Sequence, residues 1–249
     1  MTVRLDSFQE DCRVAVVGAS GGIGTAVTRL LAASPGVSLV YALSRSPTLV
    51  TADKLQAVSV NVEDEQSIRS AAESVRSEGK LDLVFVATGM LHDGEDIQPE
   101  KRISELQPDV LQRVLYVNAV APALVAKHLL PALRSRTKTV FAALSARVGS
   151  ISDNRLGGWA SYRTSKAALN MLLKTFAIEH ARSRPQSIIA ALHPGTVATS
   201  LSAPFQARVP ERQLFSPETS AAHLLNVING LRPEDSGGFF AWDGSRIEY

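Results

Sequence analysis

Short apolar runs rich in β-branched residues alternate with amphipathic helical stretches along the 249-residue chain. This alternation limits the fold more than any other feature. Strands that are apolar almost throughout must be covered on both faces, which is the arrangement of a parallel sheet wrapped by helices. The pattern predicts a strand at 13–18, a helix at 22–33, strands at 37–43 and 57–60, a helix at 66–77 and a strand at 81–86. A long helix at 108–130, a strand at 139–144, a helix at 159–181, a strand at 187–192, a helix at 217–230 and a last short strand at 239–242 follow. In the first helix Ile23, Val27, Leu30 and Leu31 recur at helical spacing, and Ser34-Pro35-Gly36 stops it.

The first strand runs straight into Gly18-Ala19-Ser20-Gly21-Gly22-Ile23-Gly24 and then a helix. Glycines there permit a tight turn and let backbone N–H groups approach a pyrophosphate, while the helix N-terminus adds a favourable dipole. Between a first strand and first helix, this turn reads as a dinucleotide site. The expected fold is therefore α/β, a Rossmann-type doubly wound, mostly parallel sheet of about seven strands with helices on both faces. No repeat or linker divides it, so residues 1–249 read as a single domain with a substrate lid at 197–216. The segments 89–99, 149–158 and 197–216 each follow a predicted strand, where ligands bind in open α/β sheets.

Gly18-Ala19-Ser20-Gly21-Gly22 also matches G-x-S-x-G, the turn of a serine hydrolase, with His193 as the nominal base. Context argues against it. A nucleophile turn needs an earlier strand to supply its oxyanion loop, and this turn follows the first strand.

The end of the second strand bears on the cofactor. An NAD site usually has a carboxylate there for the ribose 2′-hydroxyl. This chain has Ser44-Arg45-Ser46 and no acid until Asp53. A guanidinium binds a 2′-phosphate with two charge-assisted hydrogen bonds, so NADP(H) is expected, with NAD(H) the second choice.

Tyr162-Arg163-Thr164-Ser165-Lys166 puts a tyrosine and a lysine on one helix face. A nearby ammonium favours the phenolate and lowers the phenol's pKa, and such a tyrosine can exchange a proton with a carbonyl or alcohol oxygen.

These residues resemble the short-chain dehydrogenase/reductase family, and the resemblance covers nearly the whole chain. Gly18, Gly22 and Gly24 look like its cofactor turn, with Ser20, Gly21 and Ile23 inside it. Tyr162 and Lys166 match its Y-x-x-x-K, implying the catalytic acid/base and a lysine that also binds the nicotinamide ribose. Asn118 matches the helix asparagine that helps organise a proton relay through water. Pro194, Gly195, Val197 and Thr199 resemble the P-G-x-x-x-T segment that contacts the nicotinamide carboxamide. The stretch 145–170 is most similar to the C-factor/sniffer-type carbonyl reductases. Dimers or tetramers through the helices carrying Asn118 and Tyr162 are also implied.

There are departures. The N-N-A-G after the fourth strand is Val86-Ala87-Thr88-Gly89 here, and the acid after the third strand is replaced by Asn61, followed by Val62. Ala87, Gly89, Asn61 and Val62 are carried over as cofactor contacts. The catalytic serine usually lies thirteen residues before the tyrosine, where this chain has Gly149. Ser145, seventeen before, is the expected catalytic serine because it ends the fifth strand; Ser150 is the alternative, and Ala146 stands where many relatives have a second serine.

Composition narrows the rest. With 26 Lys and Arg against 24 Asp and Glu, the net charge of +2 is not a nucleic-acid footprint. Cys12, the only cysteine, excludes an internal disulfide framework and a Cys-rich metal site, and the five histidines show no metal-ligand spacing. The segment MTVRLDSFQE has no apolar leader, and no uninterrupted apolar run reaches bilayer length. The expectation is a cytoplasmic, NADPH-dependent reductase of an aldehyde, ketone or quinone, with no metal and no membrane or nucleic-acid partner. The second reading is a dinucleotide-binding signalling protein of C-factor type whose chemistry is incidental. The basic cluster Arg134-Ser135-Arg136-Thr137-Lys138 reads as a solvated surface turn.

Overall fold

The strands, in chain order, are β1 (Cys12–Val17), β2 (Val37–Ser44), β3 (Leu55–Ser59), β4 (Leu83–Val86), β5 (Thr139–Leu144), β6 (Ser187–His193), β7 (Thr196–Val197), β8 (Leu214–Phe215) and β9 (Phe239–Ala241). In this computed structural model, which describes residues 3–46, 53–94, 96–208 and 210–249, seven of them form one sheet. Its order is β3-β2-β1-β4-β5-β6-β9, and every neighbouring pair is parallel. The order reverses between β1 and β4, which opens a crevice at the carboxyl ends of those strands.

Six helices cover the sheet: α1 (Gly22–Ala32), α2 (Glu65–Ser77), α3 (Pro108–Leu115), α4 (Ala121–Leu129), α5 (Ala160–Ala181) and α6 (Pro217–Gly230). Side chains alternate across β1, so Val14 and Val16 pack with α1 and α6 while Ala15 and Val17 pack with α2, α4 and α5. Both faces are buried, which is why the strands read as nearly continuous apolar runs.

The expected long helix at 108–130 is two helices joined by a wide turn at Tyr116–Val120, where the Ala121 N–H reaches back five residues to the Tyr116 carbonyl. The cause is Pro122, which has no N–H for the Asn118 carbonyl four residues back and whose ring crowds that carbonyl. From end to end, Pro108–Ala132 has the length and composition of a membrane span, but half of its apolar window is buried, as in the core helix of a globular domain.

The 197–216 segment, expected as a lid, is tied at both ends by a short parallel ladder that pairs Thr196 with Leu214 and Val197 with Phe215. Position 209 of that segment and position 95 of the 89–99 segment lie outside the described residues. The basic cluster is not merely solvated. Arg134 Nε lies 2.9 Å from Oδ1 of the fully buried Asp82, whose Oδ2 accepts from the Arg13 N–H. Lys138 donates to the Ile228 and Asn229 carbonyls at the end of α6.

Candidate active site

The glycine turn leaves β1 with Gly18 at φ +85°, a conformation that favours glycine. A Cβ on Gly24 would run into the Gly18 carbonyl, and one on Gly22 would come within 2.7 Å of the Thr199 methyl. Gly21 precedes α1 without any side-chain cap, so the first N–H groups of the helix stay available to an anion. A groove of about 420 Å³ runs from this turn along the strand ends, lined by Gly18, Ser20, Gly21, Ser44, Arg45, Val62, Ala87 and Gly89 among others. A narrow cradle beside a helix N-terminus, where side chains would not fit, suits the phosphates of a dinucleotide. Asn61 is not among the lining residues; its Oδ1 accepts from the Glu63 N–H inside its own turn. Glu63, Arg113 and Asp93 line the groove without having been anticipated, the first two as an ion pair.

The groove adjoins a cleft of about 270 Å³. Ile23, Pro194, Gly195, Val197 and Thr199 line it with Ser145, Tyr162 and His193, and Leu91, Val148, Trp159, Leu201 and Phe205 make most of it apolar. Tyr162 and Lys166 lie one turn apart near the start of α5, with Nζ 5.8 Å from the phenol ring centre. Nζ donates to the Leu144 carbonyl at 2.9 Å, and burial pushes the lysine down to about 8. The phenol was expected to be made more acidic by the ammonium. In the structure burial of the phenol acts the other way and pushes it up.

Asn118 lies in the wide turn and is fully buried. Its Oδ1 accepts from the Met90 N–H at 2.7 Å, and Nδ2 donates to the Met90 carbonyl at 2.7 Å and to Ser165 Oγ at 2.9 Å. The Ser165 hydroxyl donates to the Tyr162 carbonyl. The asparagine therefore clamps the loop after β4 onto α5, and Pro122 leaves its main-chain carbonyl without the usual helical donor.

Gly149 presses on the backbone of α5, where a Cβ would come within 2.7 Å of the Lys166 Cβ, so the position thirteen before Tyr162 has no room for a side chain. Ser145 lines the cleft, and its hydroxyl donates to Asn170 Oδ1 at 2.7 Å. Ser150, the alternative, is absent from the lining; its Oγ accepts from the Asp153 N–H within a turn. Ala146 packs in the apolar cluster around Tyr162.

Two contributors were not anticipated. Asn170 lies one helical turn beyond Lys166, a spacing that could have revealed it. Glu100 is buried in a distant loop, and its carboxylate accepts from the N–H and hydroxyl of Ser161 at the start of α5. It replaces the cap that Trp159, left-handed at φ +53°, does not provide. The Trp159 ring packs 4.9 Å from Phe205 and 6.3 Å from Tyr162, so it walls the cleft.

A dinucleotide groove opening onto a buried Tyr–Lys pair defines an oxidoreductase of the α/β class. The profile of the short chain dehydrogenase family matches residues 13–209, and the chain belongs to that family. The 1-hydroxy-2-glutathionyl-2-methyl-3-butene dehydrogenase of Rhodococcus sp. (strain AD45) is 32% identical, over 95% of this chain and 99% of that one. C-signal of Myxococcus xanthus is 36% identical over 56% of this chain and 78% of its own length. The structure of NADPH-bound carbonyl reductase from chicken fatty liver superposes with a TM-score of 0.83 at 28% identity, covering 98% of this chain and 96% of that one. The protein is thus an NAD(P)-dependent dehydrogenase or reductase acting on small molecules.

Proposed function

We propose that the protein reduces an aldehyde, ketone or quinone with NADPH, Tyr162 giving the proton. The carrying observation is the placement of Tyr162: its ring lines an apolar cleft that adjoins the cofactor groove, one helical turn from the buried Lys166. A protonated phenol is the form that reduction requires. When bound, the reduced nicotinamide supplies a hydride to the carbonyl carbon.

The chain's own residues do the rest. Gly18, Gly21 and the start of α1 hold the pyrophosphate, and exposed Arg45 at the rim of the groove takes the 2′-phosphate. Lys166, within reach of both Tyr162 and the Leu144 carbonyl, supports the phenol after it loses its proton. The Asn118 main-chain carbonyl anchors the water that carries a proton back. Ser145 can donate to a substrate only by releasing Asn170. The Rhodococcus relative is named a dehydrogenase, and alcohol oxidation would use the same groups in reverse.

The test is a titration with NADPH and NADH, following fluorescence of Trp242, which abuts Gly195, and of Trp159 in the cleft. A panel of aldehydes, ketones and quinones is then screened for NADPH oxidation. At least about tenfold tighter NADPH binding, worth about 1.4 kcal/mol, is expected with turnover of apolar carbonyls. Binding of neither dinucleotide would contradict the reading. The similarity to C-signal motivates the second reading, a binding protein with incidental chemistry. Retention of cellular activity by Tyr162→Phe would favour it.

A further inference from the structure

In the sheet, β5 and β6 end side by side. The Ser145 N–H donates to the Leu192 carbonyl, so Ser145 and His193 are neighbours on adjacent strands, and both line the cleft with Tyr162. A hydroxyl has one proton, and that of Ser145 goes to Asn170 Oδ1 in a bond where both residues are buried. The next residue, Ala146, presents a methyl to the Tyr162 cluster. As placed, Ser145 therefore offers a substrate oxygen no free proton.

His193 fills that gap. Its Nδ1 is buried with no hydrogen-bond partner, whereas Nε2 is neither buried nor bonded to the protein. Burial pushes the imidazole down to about 4; Arg147 pushes the same way and Asp243 opposes it. The ring is then neutral at pH 7 and has one N–H. A buried acceptor without a partner is better tolerated than a buried N–H without one, so the proton belongs on Nε2, the accessible nitrogen of a residue that lines the cleft. A neutral imidazole can still polarise a carbonyl as a donor.

We propose that His193 is a catalytic residue whose Nε2–H gives the substrate oxygen its second hydrogen bond, alongside the Tyr162 hydroxyl. This inference rests on the reductase reading.

The experiment compares His193→Ala, His193→Gln and His193→Asn with the wild type in NADPH-dependent reduction of an apolar aromatic aldehyde. Tyr162→Phe serves as the inactive control. The amide nitrogen of glutamine reaches where Nε2 lies, and that of asparagine reaches where Nδ1 lies. The alanine and asparagine variants are expected to lose about 10²-fold in kcat/KM, the scale of one lost oxyanion donor, with NADPH affinity within about twofold. The glutamine variant should stay within about tenfold of wild type. If His193→Ala stays within about threefold while Tyr162→Phe is inactive, the inference falls and the reductase reading stands. Equal losses for glutamine and asparagine would also overturn it, because the ring would then only pack. A wild type that binds NADPH yet reduces no carbonyl removes the reductase reading and this inference with it.

Discussion

At the β4 side of the site every polar atom of the Asn118 carboxamide has a partner, whereas at the β5–β6 side Asn170 Nδ2 and His193 Nδ1 have none. The Asn118 side chain, Asn170 Nδ2 and His193 Nδ1 are all buried, so burial of the atoms alone does not account for the difference. An unpartnered buried polar atom costs about 1–3 kcal/mol, and folds keep few of them. The Asn118 carboxamide is saturated and holds the loop after β4 against α5. The His193 corner is left open, as expected of a wall that meets a ligand. Lys166 stands between them, a buried ammonium with a single protein acceptor, the Leu144 carbonyl.

If that contrast is right, the open groups are those whose loss harms turnover while sparing or raising stability. Lys166→Met should show the largest effect. Turnover should fall by about 10³-fold, as for loss of general-acid support. The apoprotein should gain stability at pH 7. A fall from 10.5 to about 8 means the charged lysine costs the folded state about 3 kcal/mol below pH 8. The unfolded chain binds more protons between about 8 and 10.5, so wild-type stability rises with pH across that window. The advantage of the methionine variant in thermal unfolding should therefore shrink from pH 8 upward. Equal melting temperatures at pH 7 would break the comparison.

Asn118→Ala should act in the opposite sense. It strands the Met90 N–H and carbonyl and removes one of the two partners of the Ser165 hydroxyl, and should cost about 3 kcal/mol in urea unfolding. A smaller loss, under about 1 kcal/mol, would mean the saturated carboxamide is not a clamp.

The smallest effect concerns the groove rim. Arg45→Ser should weaken NADPH about tenfold, leave NADH unchanged and leave the melting temperature where it was, since the side chain is exposed. Dinucleotide titration reads this directly. An unchanged preference would assign the 2′-phosphate to other groups.

Much of this architecture was legible because buried parallel strands leave a strong periodic trace. The strands around Val14–Val17 and Val140–Leu144 and helix α5 fall within about a residue of expectation. The break at Tyr116–Val120 was also written in the chain, as Pro122, but the surrounding apolar spacing masked it. Other features left no local mark. The β7–β8 ladder has two residues per strand and exists only through tertiary pairing. Glu100 caps a helix that starts some sixty positions later, and nothing near it signals that partner. Motif spacing located Tyr162, Lys166 and Asn118. It could not show that the Ser145 proton is already engaged, because that depends on which face of β5 meets α5.

The central claim is that Tyr162 is the proton donor of an NADPH-dependent reductase. The most direct test is a single-turnover experiment with saturating NADPH and an apolar aldehyde, comparing wild type with Tyr162→Phe after separate measurement of NADPH binding. The account predicts equal binding and at least about a 10³-fold slower conversion in the variant. Conversion at the wild-type rate by Tyr162→Phe would contradict it.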